Sequence, residues 1–247
     1  MSLLKSGNPA LSEKLFQKSG HMLAGEAMTA KGTMNKFGFL MLMVIATSVF
    51  TWNAFMGGQN VQGYMLTGAI GGLIIALVIV FKQNLAPYLA PAYALFEGLF
   101  VGGISAMMQS MYDGIVMQAV VLTFGTIISM YLLYQFRIIQ ATERFRSVVV
   151  AATMGIAIFY LIAMVLGMFN INIPFLHQGS MLGIIFSLVV VVVAALNLIL
   201  DFNMIEEGAA MGAPKHMEWY GAFGLLVTVV WLYIEILRLL SKISSRD

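Results

Sequence analysis

Apolar residues occur in seven long, nearly uncharged blocks, and short polar segments separate them. Each block has about 17 to 24 residues, and about 20 helical residues cross the ~30 Å hydrocarbon core of a bilayer. The blocks are continuous, whereas strands of a membrane barrel alternate apolar and polar positions. The pattern therefore predicts an all-α integral membrane protein with seven transmembrane helices. The predicted spans are Phe37–Met56, Met65–Phe81, Leu85–Met108, Gly114–Phe136, Ser147–Phe169, Gly179–Leu200 and Trp219–Leu240.

Composition leaves little room for anything but a membrane bundle. Hydrophobic residues make up 60% of the chain and charged residues 10%, against about 25% charged residues in soluble domains. We therefore divide the chain into an N-terminal tail, residues 1–36, and a seven-helix transmembrane domain, residues 37–247. The tail is largely polar and contains no apolar segment of a signal peptide. It holds either a short helix at Ala10–Lys18 that rests on the membrane, or a loosely ordered segment.

Lysine and arginine placement predicts the orientation of the chain. The tail and the even-numbered loops contain these residues, and the first, third and fifth loops contain none. This distribution places the N-terminus and the even loops in the cytoplasm. Arg238, Lys242 and Arg246 then lie outside, against the rule, so the last block either spans or enters and returns. We favour a span, because ten consistent charges outweigh three.

Three acidic residues fall within or at the end of a span, where a charge costs about 2.5–3.5 kcal/mol or more. They are Glu97, Asp201 and Glu235. Glu97 shares a helix face with Tyr93 and Ser105. It is either a protonated side chain bonded to a neighbouring helix or part of a pore or proton relay.

Asp201 ends the sixth predicted span, and Asn197 lies one turn earlier on the same face. A carboxylate near the C-terminus of a helix is unfavourable against the helix dipole, so its position requires a reason. Proximity to water is one reason. Oxygen ligands for a cation, shared with Asn203, Glu206 and Glu207, are another, although the spacing matches no EF-hand loop.

Glu235 is followed by Arg238, three residues later. The two side chains either neutralise each other near a helix end, or Glu235 has a functional role.

The sequence offers little support for an enzyme or a resident cofactor. The chain contains no Cys, which excludes disulfides and thiolate chemistry. All three histidines lie outside the predicted spans, so a bis-histidine haem within the membrane is excluded. No Ser occurs in a G-x-S-x-G motif. The net charge of +2 does not indicate nucleic acid as a partner. We therefore expect a non-enzymatic protein whose surroundings are the lipid bilayer.

Several segments resemble the Bax inhibitor-1 family in its bacterial branch. They are Glu97–Ser105, Leu196–Ile205 and Trp231–Leu240, together with Asn8–Lys14 and Met28–Thr33. The resemblance covers nearly the whole chain. It implies a fold in which six helices surround a central seventh. It also implies a multi-pass protein of the inner membrane that leaks cations, usually calcium, in a pH-sensitive way.

In that family an aspartate late in the sixth helix shares a proton with one on the seventh, because two adjacent carboxylates do not both ionise easily. Asp201 matches the first aspartate. The second position is Glu235 in one alignment and Thr228 in another, and the local match favours Glu235. The alternative function is that of a non-conducting regulator that binds other membrane proteins, such as a membrane protease.

Overall fold

A computed structural model describes residues 27–169 and 180–246. Within these ranges the chain forms seven long helices and one short 3₁₀ turn, Gln83–Leu85, and no β-strand beyond an isolated bridge. All seven helices are long and apolar enough to cross a membrane, which confirms the predicted fold class. The helix predicted at Ala10–Lys18 lies outside the described residues. The helices are α1 (Ala30–Met56), α2 (Gln62–Phe81), α3 (Ala86–Met111), α4 (Ile115–Gln135), α5 (Glu143–Met168), α6 (Met181–Ala210) and α7 (Met217–Ser244).

Most helices extend past the apolar blocks into the polar residues that flank them. Helix α1 already begins at Ala30, where the hydroxyl of Thr29 accepts a hydrogen bond of 2.9 Å from the Gly32 amide and caps the helix. Helix α6 continues to Ala210, so Asp201 lies inside it. The prediction that Asp201 ends this helix is therefore wrong, and the unfavourable interaction expected with the helix C-terminus does not apply to it.

The two ends of the bundle are distinguished by the contacts that close them. At the end where α1 and α7 begin, the Met28 amide donates to the Ala213 carbonyl oxygen at 2.7 Å. We call this the Glu218 end, after the buried carboxylate at the start of α7. At the opposite end, Lys242 of α7 donates to the Gly183 carbonyl oxygen at the start of α6. We call this the Lys242 end.

Helix α7 occupies the centre of the bundle, as the resemblance implied. It packs against α1, α3, α4 and α6, and a tyrosine of α5 also reaches it. In its most apolar stretch 56% of residues are buried, against 11 to 17% in α1, α2, α4 and α5. Because these four helices turn apolar side chains outward, their outer surface matches a lipid environment.

Helices α1 and α3 approach each other closely through two glycines of α3, which the sequence marks as a small-xxx-small pair. A Cβ atom on Gly98 would meet the backbone of Val44, and one on Gly102 would meet the backbone of Ser48. The close approach lets the Ser48 hydroxyl donate a hydrogen bond of 3.0 Å to the Gly98 carbonyl oxygen. The pair therefore fixes the distance between the two helices.

We expect Gly102→Ala to destabilise the bundle by about 1–3 kcal/mol, because the added methyl group pushes α1 away from α3. Gly125→Ala on α4 is the control, since a Cβ there has no neighbour within 4 Å. The midpoint of unfolding by SDS measures both variants. Equal midpoints for the two variants would show that α1 and α3 accommodate the methyl group at position 102 without a loss of stability.

Candidate functional site

Asp201 lies within the α6 sequence, well before the end of the helix, and its side chain faces the central helix α7. The hydroxyl of Thr228 on α7 interacts with its carboxylate. The same hydroxyl lies 3.3 Å from the Gly224 carbonyl oxygen, so it can donate to either group. The Oδ2 atom of Asp201 is buried and has no hydrogen-bond partner among the described residues. An unpaired buried carboxylate oxygen is costly, which points to a role other than stability.

The position on α7 that faces Asp201 is held by Thr228. Glu235 lies seven residues further along the same face, about 10 Å away along the helix axis. The structure therefore does not bring Glu235 and Asp201 together, as the alignment favoured from the sequence had implied. A hydroxyl, and not a second carboxylate, stands opposite Asp201.

Glu235 instead belongs to a network that joins α5 and α7. It is buried, and the Tyr160 hydroxyl donates to its two carboxylate oxygens at 3.0 and 3.1 Å. Arg238 lies 3.0 Å from Oε1 of Glu235 and 2.6 Å from the Tyr160 hydroxyl. Its guanidinium also stacks over the Tyr160 ring, 5.0 Å from the centroid. Of the two alternatives left open by the sequence, neutralisation of Glu235 by Arg238 is present in the structure, and Tyr160 adds hydrogen bonds to it.

Asn197 does not join Asp201 in a shared site. Its side-chain amide donates hydrogen bonds of 2.8 Å to the Thr153 hydroxyl on α5 and to the Val193 carbonyl oxygen of its own helix. Asn197 therefore connects α6 to α5, whereas Asp201 faces α7.

Glu97 lies between α3 and α2. The Tyr93 hydroxyl interacts with its carboxylate, and a Cβ added to Gly72 of α2 would lie 3.2 Å from its Oε2 atom. Ser105, predicted on the same stripe, instead shares a 2.7 Å hydrogen bond with Tyr233 of α7. The stripe is thus divided: Glu97 faces α2, and Ser105 faces the central helix.

The polar residues that follow Asp201 lie on the last turns of α6 and point in different directions. Glu206 accepts a hydrogen bond from Tyr134 of α4, and Glu207 forms a 3.2 Å ion pair with Arg146 of α5. Asn203 lines a polar cavity of about 300 Å³ beside α4, and its side-chain nitrogen has no partner among the described residues. In the part of the chain that the structure describes, no group of three potential metal ligands converges.

Glu218 is a buried acid that sequence reasoning missed. Its side chain has 0% exposure. The amide and hydroxyl of Thr29 both donate to Oε1 at 2.9 Å. Lys215 pairs with the same oxygen at 2.9 Å, and Lys36 of α1 pairs with Oε2. The carboxylate therefore ties the start of α1 to the start of α7. The sequence feature that could have pointed to Glu218 is Lys215, which lies three residues earlier and so can pair with it.

Lys242 is a second buried charge that the sequence did not single out. Its side chain is 3% exposed, and its ammonium donates to the Gly183 carbonyl oxygen at 3.1 Å and to the Ser187 hydroxyl at 2.8 Å. These bonds tie the last turns of α7 to the first turns of α6.

The fold and the site together define a multi-pass helical membrane protein in which one carboxylate oxygen of Asp201 is buried against the central helix. The chain belongs to the Bax inhibitor 1 like family, whose sequence model matches residues 8–245. The match covers nearly the whole chain and agrees with the resemblance noted from individual segments. No curated protein matches the chain.

Proposed function

We propose that this protein leaks cations, calcium among them, across the membrane in a pH-dependent way, with Asp201 as the titrating group. The observation that supports this proposal most is the buried Oδ2 atom of Asp201, which faces the central helix and has no hydrogen-bond partner within residues 27–169 and 180–246. An ionisable residue within a membrane span that lacks a neutralising partner is by default a functional candidate. The role is one of transport and regulation, without a chemical reaction.

The proposed mechanism uses one carboxylate. Thr228 faces Asp201 on α7, so in this mechanism Asp201 does not share its proton with another carboxylate. When Asp201 loses its proton, the negative charge attracts cations into the bundle and disfavours tight packing of the surrounding apolar groups against α7. Flux then increases as the pH rises.

The described residues correspond to a closed state in this mechanism. Helix α7 fills the centre, the Glu218 ion pairs close one end, and the Tyr160–Glu235–Arg238 network holds the other end. Opening requires α7 to shift relative to α6 or α1. A bundle that is closed at both ends also agrees with the second candidate function, because a regulator that binds other membrane proteins through its polar surfaces does not need to conduct ions.

Flux measurements separate the two functions. We expect purified protein in proteoliposomes to admit calcium faster at mildly alkaline than at mildly acidic pH, as reported by an encapsulated calcium dye. Protein-free vesicles and vesicles with the Asp201→Asn variant are the controls. If correctly inserted protein gives no flux above empty vesicles at either pH, the leak proposal fails and the regulator is favoured.

We further propose that the protein resides in the inner membrane with its N-terminus in the cytoplasm. Lys36, Arg146 and Lys215 all form ion pairs at the Glu218 end of the bundle, and positively charged residues favour the cytoplasmic side. Lys31 lies in the first turn of α1, and Lys82 directly follows the last residue of α2, at the same end of the bundle.

Reporter fusions test this orientation. We expect fusions after Lys82, Thr142 and Pro214 to report the cytoplasm and fusions after Asn60, Asp113 and Asn172 to report the outside. A fusion at the C-terminus should also report the outside, because α7 is long enough to cross. A cytoplasmic signal at the C-terminus would contradict seven full crossings.

A further inference from the structure

A cavity of about 590 Å³ lies between α1 and α4 at the Glu218 end of the bundle. Lys31, in the first turn of α1, and Gln135, the last residue of α4, both line it. Both residues are exposed. The cavity therefore opens at the end of the bundle where the polar turns of these helices lie.

The deep part of the cavity approaches the Asp201 site. Among its lining residues are Ile205 of α6 and Leu225 of α7, which are each 2% exposed. Ile205 follows Asp201 by four residues, and Leu225 precedes Thr228 by three. Each therefore lies about one helical turn (~5.4 Å) from the residue of the Asp201 site on its own helix. The cavity ends one turn short of Asp201, behind apolar side chains.

The charged residues of the cavity lie at its outer part. Among the described residues that line it, Glu206 is the one acid and Lys31 the one base. Glu206 accepts a hydrogen bond from Tyr134 but forms no ion pair within the described part of the chain. A carboxylate without a counter-charge beside an aqueous cavity raises the local concentration of cations.

The lining favours water as the occupant of the cavity. Its volume far exceeds the ~30 Å³ that one water molecule takes up in the liquid. A lipid chain in the same space would leave the Glu206 carboxylate in apolar surroundings, which is costly. The polar residues of the lining lie towards the ends of the helices, and they are Lys31, Tyr131, Tyr134, Gln135 and Glu206.

We propose that this cavity is a water-filled vestibule that leads ions from the Glu218 end towards Asp201, and that the charge of Glu206 draws cations into it. The part in conduction rests on the cation leak proposed above. In the closed state Ile205 and Leu225 form the barrier at the inner end, because an apolar constriction that excludes water also stops ions. Water in the vestibule and the effect of Glu206 on ions there do not depend on flux.

Single cysteines test for water, because the chain contains no Cys of its own. Ile127→Cys places a thiol in the cavity. Ser129→Cys is the matched control on an exposed face of α4, two residues nearer the same end of the helix. In lipid nanodiscs a charged methanethiosulfonate reagent reacts with thiolates in water, whereas thiols in lipid stay protonated. We expect Ile127→Cys to react about tenfold faster than Ser129→Cys, although it lies deeper.

Two reagents of opposite charge test the role of Glu206 at the same cysteine. The ratio of cationic to anionic labelling rates at Ile127→Cys, each relative to a free thiol in solution, reports the local potential. Glu206→Gln should lower this ratio about three- to tenfold at low ionic strength, and Lys31→Gln should raise it. Salt at about 1 M should remove both effects, because the Debye length falls to about 3 Å. Glu143→Gln, an exposed acid outside the cavity, should leave the ratio unchanged.

The outcomes separate the vestibule from the leak. Equal labelling of Ile127→Cys and Ser129→Cys would mean that water does not fill the cavity, and the vestibule would be overturned. A ratio that Glu206→Gln does not change would overturn the role of its charge. Ile128 also lines the cavity and is 57% exposed, so Ile128→Cys is expected to fold even if Ile127→Cys does not. If labelling behaves as expected but proteoliposomes show no flux, the vestibule stands and the leak fails.

Discussion

Asp201→Asn is expected to make cation flux independent of pH. Asparagine keeps the shape and the hydrogen-bonding capacity of the side chain but cannot ionise. The contact with Thr228 can therefore persist while the titrating group is lost. Wild-type flux in proteoliposomes should rise from mildly acidic to mildly alkaline pH, and flux through the variant should stay at the low, acidic level across this range.

Glu235→Gln is the matched control for this prediction. It also removes a single acid inside the bundle, but one that is already bound by Tyr160 and Arg238. We expect its flux to depend on pH as that of the wild type does. If Glu235→Gln removes the pH dependence and Asp201→Asn retains it, the titrating group lies in the Tyr160–Glu235–Arg238 network and the proposed role of Asp201 is wrong.

The fold was predictable from the sequence because a lipid environment constrains the chain strongly. Backbone polar groups must be satisfied within each span, so long apolar blocks such as Phe37–Met56 become helices. The close contact at Gly98 and Gly102 was also predictable, because small residues four apart let helices approach. The actual helix ends were not, since Thr29 extends α1 through a cap that hydropathy does not detect.

The partner of Asp201 was harder to predict for a geometric reason. Thr228 and Glu235 are seven residues apart and lie on one face of α7, so periodicity alone cannot choose between them. The choice depends on depth, which is set by how α6 and α7 pack along their length. Tyr160 engages Glu235 from α5, 75 residues away in sequence. A local match of residue types contains no information about such a contact.

The two ionic networks differ in how firmly they hold α7. At the Lys242 end, Glu235 is neutralised mainly by Arg238 on its own helix, and the uncharged Tyr160 connects the pair to α5. At the Glu218 end, Lys36 and Thr29 of the α1 region both bind the carboxylate on α7. Among the ion pairs that join separate helices in the described part of the chain, Lys36–Glu218 is therefore more buried than Arg146–Glu207, and a change at Glu218 should loosen the closed state most.

Glu218→Gln is expected to destabilise the protein by about 2–3 kcal/mol and to raise basal flux. The amide can still accept from Thr29, but Lys36 and Lys215 lose their counter-charge. The cost is below the ~3–5 kcal/mol typical of a broken, fully buried pair, because Lys215 is about half exposed and can be hydrated. SDS-induced unfolding and calcium flux at mildly acidic pH measure the two effects.

Glu143→Gln provides the control for Glu218→Gln, since its side chain is 89% exposed and its 3.9 Å pair with Arg146 is long. An exposed pair of this kind contributes at most about 1 kcal/mol. We expect its unfolding midpoint and its flux to match the wild type. If Glu218→Gln unfolds at the same SDS concentration as Glu143→Gln, the Glu218 ion pairs do not hold α1 to α7. If it is less stable but leaks no faster, the link contributes to folding, and the step that opens the bundle lies elsewhere along α7.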